Sequence, residues 1–120
     1  MDRKGVILLG HGSRDPLWRR PIEAVAQRLI AREPALAVRC AYMELQAPDA
    51  AAAAVELAAA GVRQVTVVPM FLGAGKHARD DLPVLLEALR RAHPAVRFLM
   101  QAPVGEDPRV LDLLARIAAE

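Results

Sequence analysis

Aromatic residues and cysteine are scarce in this sequence, and each scarcity excludes a class of site. Only 3% of the residues are aromatic, which argues against binding nucleic acid by stacking bases on aromatic rings. The single cysteine, Cys40, excludes an internal disulfide and a metal cluster held by several thiolates. Cys40 falls within a predicted strand, where we expect a small buried side chain.

Excess charge of one sign and long apolar runs are also missing. The formal net charge is +2 and there is no dense basic block, so nucleic-acid binding is not indicated. No stretch is long enough to span a membrane, since Glu56 interrupts the alanine-rich segment 50–60. The first apolar run is too short for a signal peptide and ends at Gly10-His11-Gly12. We therefore expect a cytoplasmic protein without a membrane or nucleic-acid partner.

The sequence does contain a regular alternation of apolar runs and amphipathic segments. The runs predict strands over 6–9, 37–43, 65–70 and 96–100. Helices are predicted over 17–32, from Pro48-Asp49 to a cap at Gly61, from Asp80-Asp81 to 92, and from Asp107-Pro108 to 118. Pro21 allows the first helix to begin just before it instead, and Pro83 fits the first turn of the third.

This βαβαβαβα order predicts the fold class. We expect an α/β protein in three layers, with an open four-stranded parallel sheet, flanking helices and right-handed crossovers, like half of a flavodoxin-like fold. The length of 120 residues predicts a single domain, 1–120.

Three residues that can bind a metal follow successive predicted strands at equal intervals. His11, Glu44 and His77 are 33 residues apart, about the length of one strand, one helix and their turns. The carboxyl ends of parallel strands share one edge of the sheet, and ligands bind beyond that edge. Taken singly, each of these residues is more often a solvated loop residue than a ligand. Together, two imidazoles and a carboxylate predict a divalent-metal site.

Basic residues flank the two histidines. Arg14, Lys76 and Arg79 would each alone be a solvated surface charge, but as a set they favour an anionic, carboxylate-bearing ligand. The segment Gly73-Ala74-Gly75-Lys76 lacks the Walker spacing, so its glycines indicate a flexible lid. His93 precedes Pro94 at a predicted helix end and is left out of the site.

Three motifs in the sequence resemble those of a known protein family. They are Leu9-Gly-His-Gly-Ser-Arg14, Met43-Glu-Leu45 with Pro48, and Pro69-Met-Phe-Leu-Gly-Ala-Gly-Lys-His77 with Asp81-Leu-Pro83. Over nearly its whole length the chain resembles the sirohydrochlorin chelatases, the CbiX/SirB group of class II metal chelatases, in their short single-domain form. The resemblance implies a chelatase-like fold and a homodimer that imitates the longer two-domain relatives.

The resemblance also implies an activity. It is the insertion of a divalent metal into sirohydrochlorin without ATP, with Co²⁺ as the first choice for cobalamin and Fe²⁺ (sirohaem) or Ni²⁺ (coenzyme F430) as the others. His11 and His77 would bind the incoming metal, and Glu44 would act as a third ligand or as an acceptor of pyrrole protons. Arg14, Lys76 and Arg79 would face the substrate carboxylates. Leu45, Phe71 and Leu72 would line a cleft for the tetrapyrrole or belong to the core.

Two other functions fit the same residues. A metal carrier would use His11, Glu44 and His77 without catalysis. A small phosphoryl-binding or hydrolytic domain would instead use Gly73–Lys76, and its ligand binding would survive the loss of His77.

Overall fold

The chain forms a four-stranded parallel sheet, as predicted. A computed structural model describes residues 3–120. Its strands are β1 Arg3–Gly10, β2 Ala37–Tyr42, β3 Val62–Pro69 and β4 Arg97–Met100, and its helices are α1 Arg20–Arg32, α2 Ala50–Ala59, α3 Lys76–Ala92 and α4 Pro108–Ala118. Short 3-10 turns span Pro16–Arg19 and Val104–Glu106. The strand order is β2-β1-β3-β4 with every pair parallel, so the predicted α/β class is confirmed.

The sheet is covered on both faces, which gives the three layers. Alternate residues of β1 point to opposite faces. Ile7 and Leu9 pack in the cluster formed with α2 and α3, and Leu8 packs in the smaller cluster formed with α1. The unbroken apolar pattern of β1 follows from this two-sided burial. None of the helices within residues 3–120 is long and apolar enough to cross a membrane.

The ends of α2 follow from local chemistry. The Asp49 carboxylate accepts a hydrogen bond from the backbone N–H of Ala52 at 2.8 Å, which satisfies a free donor of the first turn. After α2, Gly61 has φ +85°, a left-handed conformation that favours glycine. Gly61 is therefore the helix cap that the sequence indicated.

Two predicted helix starts need correction. The start near Leu17 is wrong, because Pro16–Arg19 forms a separate 3-10 turn capped by Asp15, and α1 begins at Arg20, just before Pro21. The third helix begins at Lys76 instead of Asp80, because Gly75 acts as its N-cap residue. Pro83 consequently lies inside α3 instead of in its first turn. His77 is thus a residue of a helix and not of a flexible loop.

The last helix, α4, has no buried residue. Its apolar side chains Leu111, Leu114 and Ile117 recur at helical spacing and are 49%, 39% and 55% exposed. The predicted helix is present, but its apolar face is left largely uncovered within the described part of the chain.

The Asp107 cap of α4 should make the stability of the folded chain depend on pH in the acidic range. Hydrogen bonds from the side chain and backbone of Arg109 lower the pKa of Asp107 from 3.8 to about 2. Because this pKa is lower in the folded chain, the capped arrangement adds stability above pH 3.8, and the contribution is lost as the pH falls towards 2. We expect an NMR titration to give Asp107 a pKa of about 2, and Arg109→Ala to raise it. A wild-type carboxyl that titrates near 3.8 would contradict this contact.

Candidate metal-binding site

The three predicted ligands lie at one edge of the sheet. His11 directly follows β1, Glu44 lies two residues beyond β2, and His77 occupies the first turn of α3 after β3. β1 and β3 are the central strands, and the chain leaves them in opposite directions along the sheet, towards β2 and towards β4. Where the chain leaves two neighbouring strands in opposite directions, a crevice opens at the sheet edge, and ligands of open α/β sheets bind in this crevice.

The same three residues line one open pocket of about 440 Å³. His11 is half-buried, whereas Glu44 and His77 are exposed. The remaining lining residues are Met43, Gly75, Lys76, Ala78 and Asp81. The convergence expected from the 33-residue spacing is therefore present as a shared pocket wall.

The loops after β1 and β2 are held together by backbone hydrogen bonds. The N–H of Met43 donates to the carbonyl of Gly10 at 2.9 Å, and the N–H of Glu44 donates to the carbonyl of His11 at 3.0 Å. Gly12 has φ +104°, and a Cβ there would lie 1.7 Å from the carbonyl oxygen of Glu44. Only glycine permits this approach. His11 and Glu44 are consequently adjacent through their backbones.

His11 rests on a buried aromatic ring. Its imidazole stacks on Phe71 with ring centroids 3.9 Å apart and an interplanar angle of 18°. Phe71 is 1% exposed, and its carbonyl accepts a hydrogen bond from the N–H of Gly105 at 2.9 Å. Phe71 therefore belongs to the core and supports His11, while Leu45 and Leu72 remain 53% and 68% exposed near the site.

The pocket is a loose arrangement of ligands and not a closed metal cage. Within residues 3–120, no three His, Cys, Asp or Glu side chains are grouped closely enough to hold a metal ion. The side chains of His11, Glu44 and His77 also make no hydrogen bond or ion pair among the contacts of residues 3–120. Metal binding would need side-chain rotations but would break no existing polar contact. Imidazole and carboxylate donors suit Co²⁺, Fe²⁺ and Ni²⁺.

Of the three predicted basic residues, one lines the pocket. Lys76 does so while its ammonium pairs with Asp80 at 2.9 Å. Arg79 lines a separate surface depression that includes Met100 and Glu106. Arg14 is exposed on the loop after β1 and is absent from the pocket lining.

Comparison with known proteins assigns the chain to a family. The model of the CbiX family matches residues 5–120. The chain belongs to the CbiX family. The family resemblance expected from the three motifs is thereby confirmed.

Relatives and solved structures agree with this assignment. The chain is 31% identical over 110 residues to the sirohydrochlorin cobaltochelatase of Sulfurisphaera tokodaii, which covers 92% of this chain and 87% of the relative. The enzyme of the same name from Methanosarcina acetivorans is 26% identical over 126 residues, covering 99% and 97%. A CbiX protein from Marinobacter aquaeolei VT8 superposes with a TM-score of 0.83 at 34% identity, covering 97% of this chain and 94% of that one.

A longer protein shares the fold. The sirohydrochlorin chelatase SirB from Bacillus subtilis subspecies spizizenii, solved in complex with cobalt, superposes with a TM-score of 0.81 at 24% identity. The match covers 97% of the CbiX-family chain described here but 49% of SirB. One copy of this chain therefore corresponds in fold to about half of that protein.

Asp81 is a pocket residue that the sequence reasoning missed. It belongs to the third motif, but the predicted helix began at Asp80 and placed His77 in a loop. With α3 beginning at Lys76, His77 and Asp81 are four residues apart on one helix face. The four-residue spacing could have identified Asp81, but only if the helix had been predicted to begin before His77.

Proposed function

We propose that this CbiX-family chain inserts a divalent metal into sirohydrochlorin without ATP, using the pocket lined by His11, Glu44 and His77. One observation carries the proposal: residues from three separate βα units line a single pocket in a chain whose relatives are named sirohydrochlorin cobaltochelatase. The relatives support the substrate, and the pocket supplies ligands of suitable chemistry.

The chemistry requires a metal that is bound and then released. An incomplete shell of nitrogen and oxygen ligands leaves coordination positions open for the pyrrole nitrogens, whereas a closed thiolate shell would retain the metal. The His11 ring stacks on Phe71, and His77 is carried on the first turn of α3. Two pyrrole protons leave as the metal enters. Glu44, or an imidazole that has released the metal, accepts one directly or through water, and the other passes to solvent water.

Co²⁺ is the metal we propose first, leading to cobalamin. The names of the relatives support this choice. A set of two histidines and one carboxylate also suits Fe²⁺, for sirohaem, and Ni²⁺, and the general affinity order of these ions does not select among them. A cytoplasmic location stays a prediction.

The tetrapyrrole is a flat macrocycle with carboxylates at its edge. Arg14 and Arg79, further out, would attract these carboxylates, and Lys76 at the pocket wall would do so by exchanging Asp80 for a substrate carboxylate. The exposed side chains of Leu45 and Leu72 offer apolar contact near the pocket.

A direct assay tests the function and separates it from metal carriage. The chain is mixed anaerobically with sirohydrochlorin and Co²⁺, Fe²⁺ or Ni²⁺, without ATP, and the tetrapyrrole absorbance is followed. A chelatase accelerates the spectral change with at least one metal. With a carrier, the metal binds to the protein but the tetrapyrrole absorbance changes no faster than it does without protein. That result would contradict the proposal.

We further propose that two copies of the chain form a homodimer. The apolar face of α4, formed by Leu111, Leu114 and Ile117, is exposed in the single chain and would be covered by the second copy. One copy corresponds in fold to about half of SirB, which supports a second copy of the chain as the partner that covers this face. The second copy would also form a further wall of the open pocket, so that the two copies enclose a cleft for the macrocycle.

A charge on α4 should therefore abolish the dimer. We expect light scattering to give a dimer for the wild type and a monomer for Leu114→Asp, because the carboxylate would be buried without a partner. Val55→Asp is the matched control, since Val55 is an exposed apolar residue of another helix, α2. A wild-type monomer, or a dimer that persists in Leu114→Asp, would contradict this interface.

A further inference from the structure

Asp81 lies beside His77 in the metal pocket although no function was expected of it. Both residues are on α3, one α-helical turn apart, and both line the pocket. Four residues span about 6 Å along a helix axis, and side chains at this spacing lie on the same face. The two side chains are therefore placed to reach a common ligand.

The adjacent carboxylate, Asp80, has a different environment. Asp80 pairs with Lys76 at 2.9 Å and does not line the pocket. Asp81 takes part in none of the ion pairs formed among residues 3–120. It also borders an adjoining depression that Tyr42 and Asp49 line. Asp81 thus presents an unneutralised carboxylate to the pocket, whereas its neighbour does not.

We propose that His77 and Asp81 form a two-residue chelating pair on α3, in which Asp81 is a further ligand of the incoming metal. The inference rests on the proposed function, because the metal is the substrate held in that pocket. Metal ligands at positions i and i+4 of one helix can bind a single ion, as two histidines do in the His-Glu-x-x-His motif. Only side-chain rotation is needed, since α3 already fixes the backbone positions.

The added carboxylate also suits the charge of the ion. Two neutral imidazoles with the carboxylates of Glu44 and Asp81 carry two negative charges, which balance a divalent metal. The set remains composed of nitrogen and oxygen donors, so it is compatible with transfer of the metal. Lys76 does not cancel this balance, because Asp80 pairs with it.

Metal affinity measured without the tetrapyrrole tests the pair. Co²⁺ is titrated into the full chain in competition with a chromophoric chelator. We expect Asp81→Asn to raise the dissociation constant about tenfold, the size of effect that groups around a metal produce. Asp112→Asn is the matched control and should leave it unchanged, because Asp112 is an exposed carboxylate of α4 that does not line the pocket. Asp81→His should recover most of the affinity, because an imidazole at i+4 can ligate although it carries no negative charge.

Three other outcomes would contradict the role of Asp81 or of the pocket. If Asp81→Asn binds Co²⁺ like Asp112→Asn while His77→Ala binds weakly, Asp81 is not a ligand and the proposed function stands. If Asp81→Asn and Asp81→His lose affinity equally, the carboxylate acts through its charge and not by ligation. If His77→Ala also binds like the wild type, the metal site itself is misplaced. Circular dichroism checks that each variant is folded. We expect the Asp81 variants to fold, because Asp81 is exposed.

Discussion

Replacing His77 by alanine should lower the rate of cobalt insertion about a hundredfold or more, the scale expected when a positioned catalytic group is removed. His77 projects from the first turn of α3 into the pocket and makes none of the side-chain polar contacts found among residues 3–120. The substitution therefore removes a ligand with little loss of structure. His11→Ala should give a similar loss of rate, together with some loss of stability from its stacking on Phe71.

His93→Ala provides the control for both substitutions. His93 is the C-cap residue of the same helix as His77, at the end away from the pocket, and its ring lies 6.0 Å from that of Phe98. We expect the rate of insertion by this variant to match that of the wild type. The rates are measured from the absorbance of sirohydrochlorin under anaerobic conditions, at equal concentrations of folded protein. Wild-type rates for both His77→Ala and His11→Ala would show that the pocket is not the catalytic site.

Replacing Gly12 by alanine should lower the free energy of unfolding by about 2–4 kcal/mol, because it combines backbone strain with the loss of a hydrogen bond between two loops. Gly12 has φ +104°, and the new Cβ would lie 1.7 Å from the carbonyl oxygen of Glu44 and 2.9 Å from its carbon. These are backbone atoms, so the two loops must separate. The hydrogen bond from the N–H of Glu44 to His11 would then be lost, and insertion activity should fall with it.

Gly73→Ala is the matched control for this substitution. A Cβ at Gly73 meets nothing within 4 Å, and the backbone there does not have a positive φ. We expect its stability to remain within about 0.5 kcal/mol of the wild type or to rise slightly. Both variants are compared by denaturant unfolding. If Gly12→Ala unfolds like Gly73→Ala and keeps full activity, the close approach of the two loops is not what assembles the pocket.

The fold and the main pocket residues were predictable because they depend on chain order. An alternation of buried strands and helices permits few topologies, and it places His11, Glu44 and His77 at one sheet edge whatever the details of the loops. The motifs around these residues then identified the family.

Other parts depend on local geometry that the sequence does not display. Asp80 and Asp81 resemble the first turn of a helix, and Gly75 has no side chain to mark a cap, so the start of α3 was placed four residues late. The position of Asp81 in the pocket was missed for that reason. Phe71 follows a strand at the edge of the binding loop, and only the tertiary structure shows that it lies under His11. The exposed apolar face of α4 likewise cannot be recognised from its amphipathic pattern, which a packed helix shares.

Transfer of a bound metal within a single turnover would distinguish a chelatase from a metal carrier. The chain is loaded with one equivalent of Co²⁺, freed of excess metal, and mixed anaerobically with sirohydrochlorin in a stopped-flow instrument. We expect the spectrum of the metallated tetrapyrrole to appear faster than with the same amount of free Co²⁺, and His77→Ala to remove this advantage. Cobalt that stays on the wild-type protein while the tetrapyrrole spectrum remains unchanged would contradict this expectation.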